Sequence, residues 1–327
     1  MSAAQDTVQS FKAFDLNKIY ATARAHAFPG LWLWGLAAAL CLVDATLISL
    51  NPRLSFTFQP ILGAIVPMSF APVLIWRLSK VTEAENPKYV RMMRCGLMVL
   101  FLVPGMASLA VLNHVLMAYP FPLADNLLDS WDRALGFDWL AFGRAIAYFP
   151  LVNFAMDQTY QFMLPALIAV GLYAIIVGRS DHASEFLGLV MITAVICVTI
   201  AALFPCVGAM DHLANTAYKA MFSKDTGNSF VPQLMEIRGT APVLLNPLQL
   251  AGLAAFPSFH CVCGVLMIYG SRVTRISQVV ASAFAVILIA ATPTFGGHYL
   301  VDLIAGATIA IGLILIGRRF RKNYAKA

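Results

Sequence analysis

Long apolar segments run through most of the chain, and they constrain its fold more than any other feature. Of the 327 residues, 60% are apolar and only 12% are charged, so a soluble core could not bury all of the apolar surface. A transmembrane helix needs about 20 apolar residues. Eight segments qualify if residues 250–258 extend the sixth, and they lie at 30–50, 56–76, 95–118, 154–178, 186–204, 259–270, 277–294 and 299–317. The sequence predicts an all-α polytopic membrane protein with about eight spans.

The loops between these segments alternate between dense and sparse in lysine and arginine. The positive-inside rule places the dense loops in the cytoplasm. The other side then carries the segment 125–149, the long loop 205–257 and the turn 295–298, so chemistry in these segments would take place outside the cytoplasm. The net charge of +6 does not indicate nucleic-acid binding, because most of the basic residues lie beside the spans.

We divide the chain into four regions at these boundaries. Residues 1–28 form a cytoplasmic segment, 29–94 hold two helices, 95–317 hold the other six, and 318–327 are a basic cytoplasmic tail. The loop 205–257 is too long for a plain connection, so we expect it to shape a substrate entrance.

The segment 125–149 has its own apolar periodicity. A stripe at helical spacing predicts a re-entrant or surface amphipathic helix, and the simplest role of the stripe is docking on the bundle or in the headgroup layer. It consists of Leu127, Leu128, Trp131, Leu135 and Trp139.

Two short polar motifs open apolar helices near the C-terminus, both on the predicted outer side. The first is Phe-Pro-Ser-Phe-His at 256–260, where Ser258 is a natural N-cap and His260 falls in the first helical turn. The second is Gly-Gly-His-Tyr-Leu-Val-Asp at 296–302. Its His298 and Asp302 are four residues apart, and therefore lie one turn apart on one helix face. The carboxylate can accept a hydrogen bond from one ring nitrogen of His298, which leaves the other nitrogen as a nucleophile.

Together the two motifs supply the groups that phosphoryl transfer requires. His260 would protonate the leaving oxygen, and backbone N–H groups near Ser258 and Gly297 would bind phosphate. Each motif alone is weak evidence, since a His-x-x-x-Asp pair in a membrane helix is usually structural. Ionisable groups at membrane depth are costly and usually functional, so the pair of motifs favours catalysis. We expect no metal or other cofactor, because no cysteine, histidine or carboxylate cluster has ligand spacing.

At these residues the chain resembles the type 2 phosphatidic acid phosphatase superfamily, and within it the branch of fungal inositol phosphorylceramide synthase. The superfamily motif Pro-Ser-x-His matches Pro257, Ser258 and His260, and its motif His-x-x-x-Asp matches His298 and Asp302. The resemblance implies a six-helix catalytic membrane domain, here residues 95–317, with the two helices of 29–94 as accessory helices in front of it. It also implies that His298 attacks phosphorus, that Asp302 supports it, and that His260 protonates the leaving group.

The chain departs from the superfamily at its phosphate-binding cations. The motif Lys-x6-Arg-Pro is absent, and Ala291 and Thr292 stand where Ser-Arg is usual. The synthase branch departs similarly, and the run Asp-Arg-Ala-Leu-Gly-Phe-Asp at 132–138 also resembles it. Three outer-side residues are candidates to replace those cations, namely Arg133, Arg144 and Arg238.

The predicted substrate is a lipid phosphoester that enters from the bilayer. If water resolves the phosphohistidine, the protein is a phosphatase; if another hydroxyl does, it is a phosphotransferase. The sequence leaves this choice, the lipid acceptor and the oligomeric state open. Two alternatives are a transporter or lipid-binding protein with proline-broken spans, although no internal repeat supports it, and a catalytically inactive relative that lacks the cations.

Overall fold

The computed structural model describes residues 21–22, 25–57, 69–223, 230–246 and 249–324. This part of the chain forms fourteen helices and one pair of parallel strands, β1 (Leu54–Phe56) and β2 (Val243–Leu245). The helices are α1 (Leu31–Leu50), α2 (Phe70–Leu78), α3 (Pro87–Met117), α4 (Asp125–Ala134), α5 (Trp139–Tyr148), α6 (Pro150–Gln161), α7 (Met163–Ile176), α8 (Ser180–Leu203), α9 (Ala209–Leu213), α10 (Thr216–Lys219), α11 (Val231–Arg238), α12 (Phe259–Gly270), α13 (Arg275–Phe295) and α14 (Leu300–Tyr324).

Five of these helices are long and apolar enough to cross a membrane, so the chain is an integral membrane protein. They are α1, α3, α8, α13 and the first twenty residues of α14, and they coincide with the first, third, fifth, seventh and eighth predicted spans. The apolar helices α7 and α12 are shorter. The twelve residues of α12 reach about 18 Å, against about 30 Å of hydrocarbon. The total of eight spans therefore stays a prediction.

Prolines explain where the fourth predicted span differs from a single helix. Within 154–178 the helix α6 ends at Gln161 and the helix α7 begins at Met163. Pro165 has no N–H group to bond the carbonyl of Gln161, and its ring crowds that turn. A sharper break separates α5 from α6, which begins at Pro150 and is bent by 111° relative to α5. Of the second predicted span, 56–76, residues 58–68 lie outside the described part. The remainder is 56–57 and 69–76, most of which belongs to α2.

Helix α3 begins earlier than the apolar pattern predicts. Asn86 caps it by accepting a hydrogen bond from the Tyr89 N–H, and proline occupies the first helical position. Arg91 and Arg94 therefore lie on the helix rather than in a loop, and both pair with Glu83.

Contacts between helix ends show which ends lie together. Arg94 donates to the Ser180 hydroxyl at the start of α8, and the hydroxyl of Tyr173 lies 3.2 Å from that of Thr274, beside the start of α13. These contacts bring together the helix ends that carry most of the described lysines and arginines. The first turns of α12 and α14, which carry the two polar motifs, lie at the other end, as the alternation of the loops predicts.

The described residues of the segment 205–257, which are 205–223, 230–246 and 249–257, fold over this second end and include α9, α10, α11 and β2. Strand β2 pairs with β1, which follows α1. Helix α11 is fixed to the end of α3, because Gln233 contacts the His114 ring at 2.9 Å and Arg238 donates to backbone carbonyls. Those carbonyls belong to Met117, Tyr119 and Phe121.

Candidate active site

The turn between α13 and α14 carries a buried histidine–carboxylate pair. His298 Nδ1 lies 3.0 Å from Asp302 Oδ2, as the four-residue spacing predicts. A carboxylate accepts hydrogen bonds, so Nδ1 carries the proton and Nε2 keeps the lone pair. The same oxygen of Asp302, the third residue of α14, accepts from the Tyr299 N–H at 3.0 Å. This bond back to the residue before the helix is half of a capping box, and it fixes the carboxylate.

Glycines make room for this turn. Gly297 has a φ of +64°, in the left-handed region that glycine adopts without strain. A Cβ atom at Gly296 would lie 2.6 Å from His298 Cδ2 and 2.7 Å from the hydroxyl oxygen of Tyr160. Any larger residue at position 296 would therefore displace a ring of the site.

His260 lies opposite, in the first turn of α12. Ser258 caps this helix through its Oγ, which accepts from the Cys261 N–H, as the sequence predicts. The rings of His260 and His298 have centroids 6.2 Å apart. Tyr160 at the end of α6 stacks on His260, with centroids 4.2 Å apart and planes 17° apart, and its hydroxyl is 3.2 Å from His260 Nδ1. This contact leaves His260 Nε2 for a substrate.

Burial sets the protonation of the candidate nucleophile. It lowers the pKa of His298 to about 4, although the backbone carbonyl of Ala255 opposes the shift. The ordinary value is about 6.5. His298 is therefore neutral at physiological pH, which is the nucleophilic form.

Helix α4 holds the first turn of α14 through Asp132. Its two carboxylate oxygens accept from the backbone N–H groups of Leu300, at 2.7 Å, and Val301, at 2.9 Å. Burial raises the pKa of Asp132, and the two N–H bonds oppose that shift. The positive end of the α14 dipole therefore faces a protein carboxylate.

A second carboxylate on α4 connects α14 to the loop after α8. Asp125 accepts from the Tyr299 hydroxyl and from the N–H groups of Val207 and Gly208, all at 3.0 Å. Burial and the nearby Asp125 raise the pKa of Tyr299, so its hydroxyl remains a donor.

The predicted stripe on 125–149 is split between the two faces. Leu128 and Trp139 are buried, but the other three members are 40–56% exposed, and these are Leu127, Trp131 and Leu135. The inner face of α4 instead carries Asp125 and Asp132. Sequence reasoning missed these two residues, although their seven-residue spacing places both on one helix face.

A cavity of about 510 Å³ opens beside the two histidines. His260, His298 and Tyr160 line one end of it. Most of the remaining wall is apolar and comes from α3, α8 and the segment 251–255. Within the described part of the chain, no lysine or arginine lines this cavity.

The predicted phosphate ligands and cations have other partners in the structure. Ser258 is fully buried and its Oγ serves as a cap, while the Gly297 carbonyl accepts from the Ala209 N–H. Neither residue lines the cavity, so their phosphate-binding role stays a prediction. Of the three arginines, Arg238 binds the carbonyls after α3, Arg133 pairs with Asp129, and Arg144 is exposed.

Unsatisfied donors remain at the start of α12. Among the described residues, no hydrogen bond satisfies the backbone N–H groups of Phe259 and His260, both of which line the cavity. The N-terminal N–H groups of a helix favour an anion. These two N–H groups are therefore candidate donors to a bound phosphate.

The fold and the paired motifs define an integral membrane protein with two histidines at one buried cavity. A family model described as the PAP2 superfamily matches residues 126–316, more than half of the chain. The chain therefore belongs to the PAP2 superfamily. No curated protein and no solved structure is significantly similar to it. Membership indicates an enzyme with phosphatase-type activity on a lipid phosphoester, which confirms the resemblance at the level of the superfamily.

Proposed function

We propose that this protein transfers a phosphoryl group from a lipid phosphoester through a phosphohistidine on His298. The buried pair of His298 and Asp302, facing His260 across one cavity, carries this proposal. Asp302 fixes the tautomer that leaves Nε2 free, and burial keeps the ring neutral.

In the first half-reaction, the lone pair of His298 Nε2 attacks phosphorus and the bond from phosphorus to the leaving oxygen breaks. His260 is neutral in the empty cavity and takes up a proton together with the anionic substrate; it donates that proton to the leaving oxygen from Nε2, so the leaving group departs as an alcohol. The Tyr160 hydroxyl accepts from Nδ1–H of His260 before and after this transfer, because Nε2 is the nitrogen that gives up the proton.

In the second half-reaction, His260 acts as the base. It removes a proton from an incoming hydroxyl, whose oxygen forms a bond to phosphorus while the bond to His298 breaks. Water as the acceptor makes the protein a lipid phosphatase, and a second alcohol makes it a phosphotransferase.

The charges around the cavity support transfer from a singly charged phosphodiester. No described lysine or arginine lines the cavity, and Asp132 already occupies the N-terminus of α14. A phosphate monoester carries up to two charges at neutral pH, and a buried charge without a counter-charge is costly. Donation from a diester to a second alcohol is the reaction type that the resemblance to the inositol phosphorylceramide synthase branch implies. A lipid phosphatase remains the second candidate.

We also propose that the reaction is independent of metal and takes place on the extracytoplasmic side. Within the described residues, no group of three or more histidine, cysteine, aspartate or glutamate side chains is placed to hold a metal ion. Most of the described lysines and arginines lie at the end of the bundle away from His260 and His298, and the positive-inside rule assigns that end to the cytoplasm.

Trapping the intermediate tests this proposal. Purified protein in detergent, given a phosphodiester lipid labelled at phosphorus, should acquire a label that acid removes and alkali does not. We expect the same amount of label with excess EDTA and none in His298→Gln. Absence of label and product in the wild type would favour a transporter or a lipid-binding protein. Loss of label with EDTA and its return with magnesium would contradict metal independence.

A further inference from the structure

We propose that Asn113 recognises a hydrogen-bond donor, a hydroxyl or an amide N–H, on the lipid that occupies the cavity. The inference rests on the proposed function, because it assigns one wall of the cavity to the lipid alcohol that leaves or accepts the phosphoryl group. It concerns specificity, since Asn113 takes no part in the bond changes at phosphorus.

Asn113 is a polar residue on an apolar wall. Helix α3 lines the cavity with one face at a spacing of three, four and seven residues, which comprises Met106, Leu109, Ala110 and Asn113. The facing residues of α8 are Ala194, Cys197 and Val198. A lipid chain lying between these helices would meet hydrocarbon and a thiol along its length, and a carboxamide at position 113.

The carboxamide is buried without a partner for its oxygen. Asn113 is 7% exposed, and its Oδ1 is shielded from solvent with no hydrogen-bond partner in the described part of the chain. Leaving a buried acceptor without a donor is unfavourable, so a ligand that supplies the donor is favoured. The next residue, His114, is satisfied by the Ala110 carbonyl and by Gln233 on α11, so it does not supply a donor.

Other shielded oxygen atoms lack this combination. Asp44 Oδ1 and Thr294 Oγ1 also have no partner among the described residues, but neither residue lines this cavity. Asn113 combines an unsatisfied buried amide with a place on the cavity wall. An asparagine amide contains one acceptor and two donors, so rotation of its side chain can present the oxygen to a ligand.

The chemistry of the ligand follows from this pair of features. It needs apolar chains that fit between α3 and α8, and an O–H or N–H donor at the level of Asn113, near the end occupied by the histidines. A diacylglycerol offers one hydroxyl, and an N-acyl sphingoid base offers hydroxyl groups and an amide N–H. A lipid whose polar atoms are all acceptors, such as a triester, would leave the Oδ1 acceptor of Asn113 without a donor.

Binding measurements with blocked lipids test the inference. The probes are diacylglycerol and N-acylsphingosine, the O-methyl ethers of both, and the N-methyl amide of the second, each added to the full-length protein in detergent. We expect the wild type to bind at least one parent lipid about tenfold more tightly than a methylated form, the value of one good hydrogen bond. Sensitivity to O-methylation identifies a hydroxyl, and sensitivity to N-methylation alone identifies the amide.

Variants of Asn113 test whether its side chain causes the preference for the parent lipids over the methylated ones. Asn113→Leu, of similar size, should bind parent and methylated lipids equally, and Asn113→Ala should do the same if the leucine variant fails to fold. Gln161→Leu is the matched control, because Gln161 is another amide that lines the cavity, and it should retain the preference.

Two results would overturn the inference. One is equal binding of all parent and methylated lipids by the wild type, and the other is an undiminished preference in both Asn113 variants. Since binding requires no turnover, a protein that shows the preference but transfers no phosphate would contradict the proposed function and support the role of Asn113.

Discussion

The indole N–H of Trp139 lies 3.0 Å from the backbone carbonyl of His298, to which it donates a hydrogen bond. The same N–H also contacts the carbonyl of Pro293 at 3.2 Å, near the end of α13. A buried side chain on α5 thus fixes both sides of the turn that carries the candidate nucleophile.

Replacing Trp139 by phenylalanine should lower activity without removing a reacting group. The variant leaves two buried carbonyls without their donor, which costs about 1–3 kcal/mol of stability. A displacement of the nucleophile by about 1 Å costs up to a hundredfold in rate, so we expect phosphoryl transfer to fall ten- to a hundredfold. Trp131→Phe, at an exposed position on α4, should change neither thermal unfolding nor turnover. Equal rates in the two variants would show that the indole does not position His298.

Replacing Asp132 by asparagine should loosen the first turn of α14. An amide has one acceptor oxygen in place of two, so the N–H of Leu300 or Val301 loses its partner. We expect a lower unfolding temperature, with about 1–3 kcal/mol lost, and a lower turnover number at saturating lipid. Asp129→Asn on the same helix is the control, since Asp129 pairs only with the exposed Arg133 among the contacts described here. A silent Asp132→Asn would contradict this role.

The sequence was informative where contacts are local and uninformative where they are long-range. The helical repeat alone places His298 beside Asp302, and the chemistry of serine places Ser258 at a helix start. Asp132 reaches its partners across 168 residues of chain, so no local periodicity predicts the contact. The apolar stripe on the same segment directed attention to the wrong face, because a helix at a membrane surface is apolar outside as well.

The break after Gln161 was predictable in principle. Pro165 lies four residues further on, at the position where a proline opens a helix. Hydropathy averages over this interruption, which explains why a single span over 154–178 was expected.

The contact between Tyr160 and His260 predicts a dependence on the leaving group. Tyr160→Phe keeps the stacked ring but removes the hydroxyl from His260 Nδ1, so turnover of lipids with alkyl leaving groups should fall up to about tenfold. His260→Gln should slow the same lipids by about 10²–10⁴-fold. Phosphoenzyme formation from aryl phosphodiesters, whose leaving oxygen needs no proton, should be nearly normal in both variants, whereas its breakdown in His260→Gln should still be slow because His260 is also the proposed base. Tyr173→Phe, which loses a hydroxyl contact at the opposite end of the bundle, should leave all rates unchanged.

In the pH–rate profile, the loss of activity on the acid side should occur well below neutral pH. His298 reacts when its ring is neutral, and burial lowers its pKa to about 4. The neutral form therefore persists as pH falls below 6.5 and is lost only as pH passes through about 4. Phosphoenzyme formation from an aryl phosphodiester, measured by rapid quenching, should be within about twofold at pH 5 and pH 7. A midpoint near 6.5, the ordinary histidine value, would contradict this.

Thiol labelling in intact cells tests the assignment of sides. In a background with Cys41 and Cys95 replaced, the four remaining cysteines are buried. A cysteine at the exposed Thr240, in the segment that covers the histidine end, should react with an impermeant reagent before lysis. A cysteine at the exposed Asp181, at the opposite end, should react only after lysis. The reverse pattern would place the histidines in the cytoplasm.

Helix α4 connects the predicted membrane surface to the candidate active site. Its outer face exposes Leu127 and Trp131, which suit the boundary between headgroups and acyl chains. Its inner face carries Asp132, which holds the helix of the nucleophile. Forces that act on the outer face therefore reach the reacting histidine within one turn of helix. We expect turnover per molecule to change with lipid packing even at constant substrate concentration, so that the enzyme senses the membrane whose lipids it modifies.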